Sequence, residues 1–326
     1  MKRQLLFVLT AILTLGTFFA LLISPAEASA AARDALALCG ATIIPSLFPF
    51  MVISNMIVRS GIAGKLGKAL EPLSRRLFGV SGAGGSAFLL GLAGGYPLGA
   101  YTVSDLYTGG NISRAEAQRL LRFCNNCGPA FMLTVAGNAV FQSPRAGYFL
   151  LTVHAISAFA VGLCSRRKKK ISAGDFPGGS LKHKSLDFSS ALTESVKCAS
   201  LSCLSVCGFV SFFGVLMGLL NALNILPAVC GQISIITGAE LRFVRSLIYG
   251  FFEIGIGVGS MAGLSINVHN LALCSFVLAW GGLSVQAQAA QTIKESGLST
   301  APHFLGKLLH GALSTLITVI LYPLFF

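Results

Sequence analysis

Between Ser246 and Ile293 the chain carries a single carboxylate, Glu253, and His269 is the one basic-type side chain beside it. The acid stands in Gly250-Phe251-Phe252-Glu253-Ile254-Gly255-Ile256-Gly257. A charged carboxylate at the centre of a membrane helix costs about 2.5–3.5 kcal/mol, so a retained one is a site candidate. It can bind a substrate hydroxyl or amine, coordinate a cation, or carry a proton. The alternative is an acid near a helix end that pairs with Arg242 or Arg245. A second candidate is Cys124-Asn125-Asn126-Cys127-Gly128-Pro129. The CxxC spacing admits zinc or a redox pair, but no second CxxC follows and no strand precedes it. The preferred reading puts the polar groups of Asn125 and Asn126 where Gly128 and Pro129 break a helix, because broken helices hold ions and anions on exposed backbone groups. A third set is Gly94, Gly95, Tyr96 and Pro97, expected to face Gly281, Gly282, Ser284, Gln286 and Gln288. The amides of Gln286 and Gln288 sit in an apolar run and need partners if buried, either a ligand or the opposite hairpin.

Other chemistry is not signalled. His269, His303 and His310 lack metal-ligand spacing and are read as loop or interfacial residues. Glycine runs such as 255–259 have no strand before them, so they are not nucleotide fingerprints. No nucleophile stands beside a matching base. The expectation is a protein with no cofactor, no metal and no enzymatic role.

These residues need a non-aqueous scaffold. Of 326 residues, 54% are hydrophobic and 11% charged, and the mean hydropathy is +0.77. Soluble domains carry about 25% charged residues. The composition therefore excludes a soluble globular enzyme, a disordered chain and a secreted disulfide scaffold. An all-α polytopic membrane protein remains. The net charge of +13 then reads as positive cytoplasmic loops rather than a nucleic-acid surface, and the nine cysteines as small packing residues.

A span takes about 20 mostly apolar residues. Leu5–Ile23, behind Lys2 and Arg3, reads as a signal anchor over residues 1–30, with a cleaved signal peptide as the alternative. Ala35–Val58 carries Pro45 and Pro49 and is expected to kink or break. Gly-rich Val80–Tyr101, then Gly128–Phe141 and Gly147–Cys164, complete a first membrane repeat with its connecting span over residues 31–165. Residues 166–190 form a basic cytoplasmic linker opening on Arg166-Arg167-Lys168-Lys169-Lys170. A second repeat over 191–326 contains Ala199–Leu223, Ser246–Leu264, Leu271–Ala290 and Phe304–Phe326. With the N-terminus inside and Val80–Tyr101 re-entrant, every strong basic cluster falls in the cytoplasm. The polar loop Asn224–Glu240, which has no Lys or Arg, falls outside.

The halves look related. Gly94-Gly95 and Gly281-Gly282 each sit in a Gly-rich apolar run. The first glycine lies 25 positions before Arg119-Leu120-Leu121 in one half and 26 before Lys307-Leu308-Leu309 in the other. Under the topology above these would be two inverted repeats with re-entrant helical hairpins and broken helices, the pattern of secondary transporters. The alternative is that the glycines only let helices pack closely.

Several stretches together resemble a family. They are Ile44-Pro45-Ser46-Leu47-Phe48-Pro49-Phe50, Gly91 to Ala100, Asn126-Cys127-Gly128-Pro129-Ala130-Phe131, Phe252-Glu253-Ile254, and Gly281-Gly282-Leu283-Ser284-Val285-Gln286-Ala287-Gln288. They are similar to the sporulation integral membrane proteins of the YlbJ, or stage V sporulation protein V, family. Both halves also resemble the Gate, or nucleoside-recognition, domain shared with nucleoside transporters and the ferrous-iron transporter B. The resemblance implies a multi-pass bacterial inner-membrane transporter, with the outer forespore membrane as a further location during sporulation. The family is implicated in moving dipicolinic acid. This chain is shorter than typical members, which leaves a nucleoside-like or other carboxylate solute open. The implied partners are a small-molecule solute and the lipid bilayer, with a homo-oligomer left open and no nucleic acid. A non-transporting membrane assembly protein needed for spore maturation is the competing expectation.

Overall fold

The structure, a computed structural model, describes residues 2–166 and 187–326. Among the described residues it is entirely helical, with no strand. The first half contains α1 (Lys2–Ile23), α2 (Pro25–Leu38), α3 (Ile44–Arg59), α4 (Ile62–Phe78), α5 (Gly82–Gly94), α6 (Leu98–Thr108), α7 (Arg114–Leu120) and α8 (Pro144–Cys164). The second contains α9 (Phe188–Ala222), α10 (Ile225–Thr237), α11 (Leu241–Phe252), α12 (Ile254–Gly259), α13 (Val268–Trp280), α14 (Gly282–Glu295) and α15 (Ala301–Phe325). Two π-helical segments, Cys39–Ile43 and Phe131–Val140, interrupt the α geometry.

Five described helical segments are long and apolar enough to cross a membrane: Pro25–Arg59, Pro144–Cys164, Phe188–Ala222, Val268–Glu295 and Ala301–Phe325. Gly64–Phe78 and Gly82–Gly94 form an additional pair bent by 89°. Large apolar side chains cover the outside: Phe7, Leu204, Ile236 and Leu324 are each more than 70% exposed. A surface of that kind is stable against hydrocarbon and not against water. The chain is an integral membrane protein.

The expected break at Pro45 takes a specific form. Pro45 lacks an N–H and its ring crowds the carbonyl four residues back. The five-residue π segment Cys39–Ile43 stands directly before it, widening the turn where the ring must fit. The chain then continues, so Pro25–Arg59 is one span of 35 residues. Three further expectations shift. Residues 167–186 of the basic linker lie outside the described residues, but α9 begins at Phe188, capped by Asp187 accepting from the Ser190 N–H at 3.4 Å. It starts early because Ala191, Ser195, Ala199, Cys203 and Cys207 make a buried i, i+4 stripe. The segment Asn224–Glu240 contains helix α10 instead of forming a loop.

Ser246–Leu264 is not one span but the helix pair α11–α12, folded back at Glu253. A Cβ added to Gly257 would lie 2.1 Å from the Gly250 Cα. Seven residues along a straight helix would separate those positions by about 10.5 Å. The pair α5–α6 folds back in the same way around Gly95–Pro97: a Cβ on Gly91 would lie 3.2 Å from the Gly99 Cα. Each half therefore has one order of elements. A folded-back pair is followed by a helix with a break, at Asn125–Gly128 in the first half and Gly281 in the second, and then by a closing helix, α8 or α15. The two Gly-Gly motifs fall at different places in that order. Gly94-Gly95 belongs to a turn, whereas Gly281-Gly282 interrupts Val268–Glu295, which runs on as one 28-residue segment.

Candidate functional site

The four interruptions meet. Gly95, at φ +80°, lies against Gly128: a Cβ there would fall 2.8 Å from both the Gly128 Cα and N. Tyr96, buried at the same turn, reaches the second break, where its hydroxyl donates to the carbonyls of Leu278 and Ala279, each at 3.0 Å. Gly282, at φ +77°, lies against the Glu253 turn, where a Cβ would come within 3.1 Å of the Glu253 N and 3.0 Å of the Ile254 N. Only glycine tolerates such a backbone conformation this close to another main chain.

Glu253 is fully buried with extended backbone, φ −144° and ψ 126°. Its Oε2 accepts from the Ile256 N–H at 2.7 Å, capping α12, and its Oε1 accepts from the Ser284 hydroxyl at 3.4 Å. Neither Arg242 nor Arg245 pairs with it: the Arg245 guanidinium lies over the Tyr249 ring at 4.9 Å. The helix-end ion pair entertained from the sequence is therefore absent here.

Every carbonyl at the end of α13 has a partner, as backbone in a non-aqueous interior requires. The Val277 carbonyl accepts from the Gly281 N–H at 2.9 Å. Tyr96 serves Leu278 and Ala279, and the Gln286 Nε2 donates to the Trp280 carbonyl at 2.7 Å. The Trp280 ring N–H in turn donates to the Phe251 carbonyl at 3.0 Å, and the two rings stack.

The first-half break is held from further away. Asn125 and Asn126 are fully buried. The Asn125 carbonyl accepts from the Lys307 ammonium at 2.8 Å, the Cys127 N–H donates to His154 Nε2 at 3.2 Å, and His303 Nδ1 donates to the Leu121 carbonyl at 3.2 Å. Lys307 also donates to His310 Nδ1 at 3.1 Å, which leaves His310 Nε2 to donate to the His154 carbonyl at 3.2 Å. His303 and His310 are thus core residues of α15, not interfacial ones; of the three histidines expected in loops or at the interface, His269 is the exposed one. Sequence reading passed over Lys307 and His154. The signal for Lys307 was that it is the one Lys, Arg, Asp or Glu in the 25-residue helix α15.

A small pocket of about 50 Å³ lies where the interruptions converge. Tyr96, Cys127, Gly128, Glu253, Gly255 and Gln288 line it, with apolar side chains from the Pro25–Arg59 span and from α9 on the other side. Of the residues expected at a site, Tyr96, Glu253 and Gln288 reach the pocket. Gly94, Gly95, Pro97, Gly281 and Gly282 shape the backbone around it, Ser284 supports Glu253, and Gln286 closes the α13 end. Asn125 and Asn126 lie in the broken segment leading to Cys127; Asn126 donates to the Phe123 carbonyl at 2.8 Å, and both polar atoms of the Asn125 side chain have no partner. Cys124 and Cys127 are free thiols, and among the described residues no His, Cys, Asp and Glu cluster has metal-binding geometry.

Residues 41–161 match the family model described as Gate, nucleoside recognition. A solved structure of CNTnw, in an outward-facing state, superposes with a TM-score of 0.46 at 13% identity, covering 96% of this chain and 85% of that one. The sporulation integral membrane protein YlbJ of Bacillus subtilis strain 168 is 29% identical, over 96% of this chain and 83% of its own length. The chain is thus similar to a YlbJ sporulation membrane protein along nearly its whole length, and its residues 41–161 are similar to the Gate model.

Proposed function

We propose that this protein is a secondary transporter that moves a small organic solute through the pocket where the four helix interruptions meet. The observation that carries the reading is Glu253, a fully buried carboxylate in an irregular turn that opens on a largely apolar pocket. Apolar pockets with a few convergent polar groups are the usual form of small-molecule sites, and irregular backbone at membrane depth is tolerated where it lines a cavity. Gly94 to Pro97, Asn125, Asn126, Gly281, Gly282, Ser284, Gln286 and Gln288 shape the site or contact the solute. Residues 31–165 and 191–326 act as two inverted repeats that rock about it. The solute we assign is dipicolinic acid or a nucleoside-like or carboxylate compound, and the setting spore formation at the forespore membrane; the sporulation relative supports the link to sporulation and the Gate match supports small-solute recognition.

Uptake of dipicolinate and of nucleosides into proteoliposomes tests this, with Glu253→Gln beside the parent. The carboxamide still accepts from the Ile256 N–H, so the fold should hold while uptake falls at least tenfold. Equal uptake by the variant would remove Glu253 from the mechanism. Cysteines placed at Gly94 and Gly281 should be labelled from opposite sides; full protection of both would favour a packed assembly protein instead.

A further inference from the structure

Lys307 is fully buried in α15, and nothing in the pocket described above requires it. A buried ammonium in a membrane protein is expensive and is retained where it serves a site. Its surroundings say what it serves. The ammonium touches the Asn125 carbonyl at 2.8 Å, His310 Nδ1 at 3.1 Å, and the face of the Tyr96 ring at 4.9 Å from the centroid. All three are neutral and electron-rich, and none is a carboxylate. Ion-pair burial is therefore not the purpose, because no opposite charge compensates the desolvation here.

A main-chain carbonyl from an unwound helix, an imidazole nitrogen and an aromatic face are groups that hold a small monovalent cation. The carbonyl belongs to Asn125, whose own side-chain oxygen and nitrogen are buried without a partner. A cation at this point binds the first-half break to Tyr96, the residue that caps the second break. We propose that the Lys307 ammonium is a built-in cation, occupying a site between the Asn125 carbonyl and the Tyr96 ring that would otherwise take a free Na⁺ or a small organic ammonium. The two breaks are then held together without any bound metal ion, whichever solute the pocket takes.

Thermal unfolding of the purified full chain in detergent tests this apart from transport. Lys307→Ala removes the ammonium and its stem, and Lys307→Met removes the charge but keeps most of the stem. Each is melted in the chlorides of Na⁺, methylammonium and choline at equal ionic strength. Choline, too large for the site, sets the baseline. Lys307→Ala should melt below the parent and regain several degrees in methylammonium or Na⁺, since a ligand that binds only the folded state raises stability. Lys307→Met should melt low in all three salts, and the parent should melt equally in all three. A folded Lys307→Ala that responds to neither cation overturns the proposal, as does an equal response from Lys307→Met. If Lys307→Ala does not fold, the parent decides: Na⁺-specific stabilisation overturns the built-in cation, and equal melting in Na⁺ and choline supports it. Because no solute is present, failure here leaves the transport reading standing, and failed uptake leaves this one.

Discussion

The breaks in the two halves are repaired in different ways. In the second half the repair is partly local, with Tyr96 serving the Leu278 and Ala279 carbonyls from 182 and 183 residues away. Gln286 lies six residues beyond the Trp280 carbonyl it serves, and Glu253 caps the helix that begins at the next residue. In the first half the partners come from far along the chain. Lys307 and His303 each lie 182 residues from the carbonyl they hold, and His154 is 27 residues from Cys127. Unpaired backbone groups cost several kcal/mol in hydrocarbon, so both breaks must be served. The difference teaches that one requirement admits a partly local solution and a distributed one. The distributed one makes the first break depend on the docking of α8 and α15.

What the halves share is the close approach of backbone at their folded-back pairs, and breaking that should have the largest effect. Gly99→Ala would put a methyl 1.9 Å from the Cys124 carbonyl oxygen, and Gly257→Ala one 2.1 Å from the Gly250 Cα. Neither neighbour is a flexible side chain. Overpacking typically costs about 1–3 kcal/mol, and backbone against backbone should exceed that range. Both variants should lose the monodisperse peak in detergent gel filtration. Gly208→Ala is the control: it sits inside α9 with nothing within 4 Å of a new methyl, and should gain about 0.4–1 kcal/mol in thermal unfolding. If Gly99→Ala and Gly257→Ala behave like Gly208→Ala, the folded-back pairs are wrong.

The local repair gives the next effect. Gln286→Ala leaves the Trp280 carbonyl buried without a donor and should cost about 1–3 kcal/mol of stability. Gln288 makes no such bond and lines the pocket, so Gln288→Ala should change solute uptake more than melting temperature. The reverse pattern would exchange the roles of the two amides.

How much of this was legible follows the same division. Glu253, Gln286 and Gln288 stood out because a polar residue in an apolar run is visible without knowing its neighbours. The breaks at Gly95–Pro97, Asn125–Gly128 and Gly281 were visible because glycine, proline and asparagine disfavour helix interiors. What was missed depended on distance. Nothing local marks Lys307 as the partner of Asn125, or His154 as that of Cys127. The fold-back at Glu253 was misplaced at Gly281 because two Gly-Gly motifs at nearly equal spacing from a basic residue looked equivalent. The glycines that decide the fold-back are instead Gly250 and Gly257, which meet only once the chain has turned. Helix α10 replaces an expected polar loop because Ile225, Leu226, Ile233, Ile235 and Ile236 supply helix-compatible apolar content that the missing Lys and Arg, a signal of sidedness, do not report.

Tyr96 is where the two solutions touch, and it gives the smallest and sharpest test. Its hydroxyl shares one proton between the carbonyls of Leu278 and Ala279, while Gln286 serves Trp280. Tyr96→Phe keeps the ring beneath Lys307 and removes only that proton, so it should cost about 1 kcal/mol in thermal or denaturant unfolding. The informative quantity is its coupling to Gln286→Ala. Both residues cap the same end of α13. If that end loosens as a unit once Gln286 is gone, the tyrosine proton has little left to hold, and the double variant should cost less than the two single variants together by about 0.5 kcal/mol or more. Additive costs would mean that the first-half turn and the second-half break are stabilised separately, and the link between the two halves would then rest on Lys307 and the glycine contacts alone.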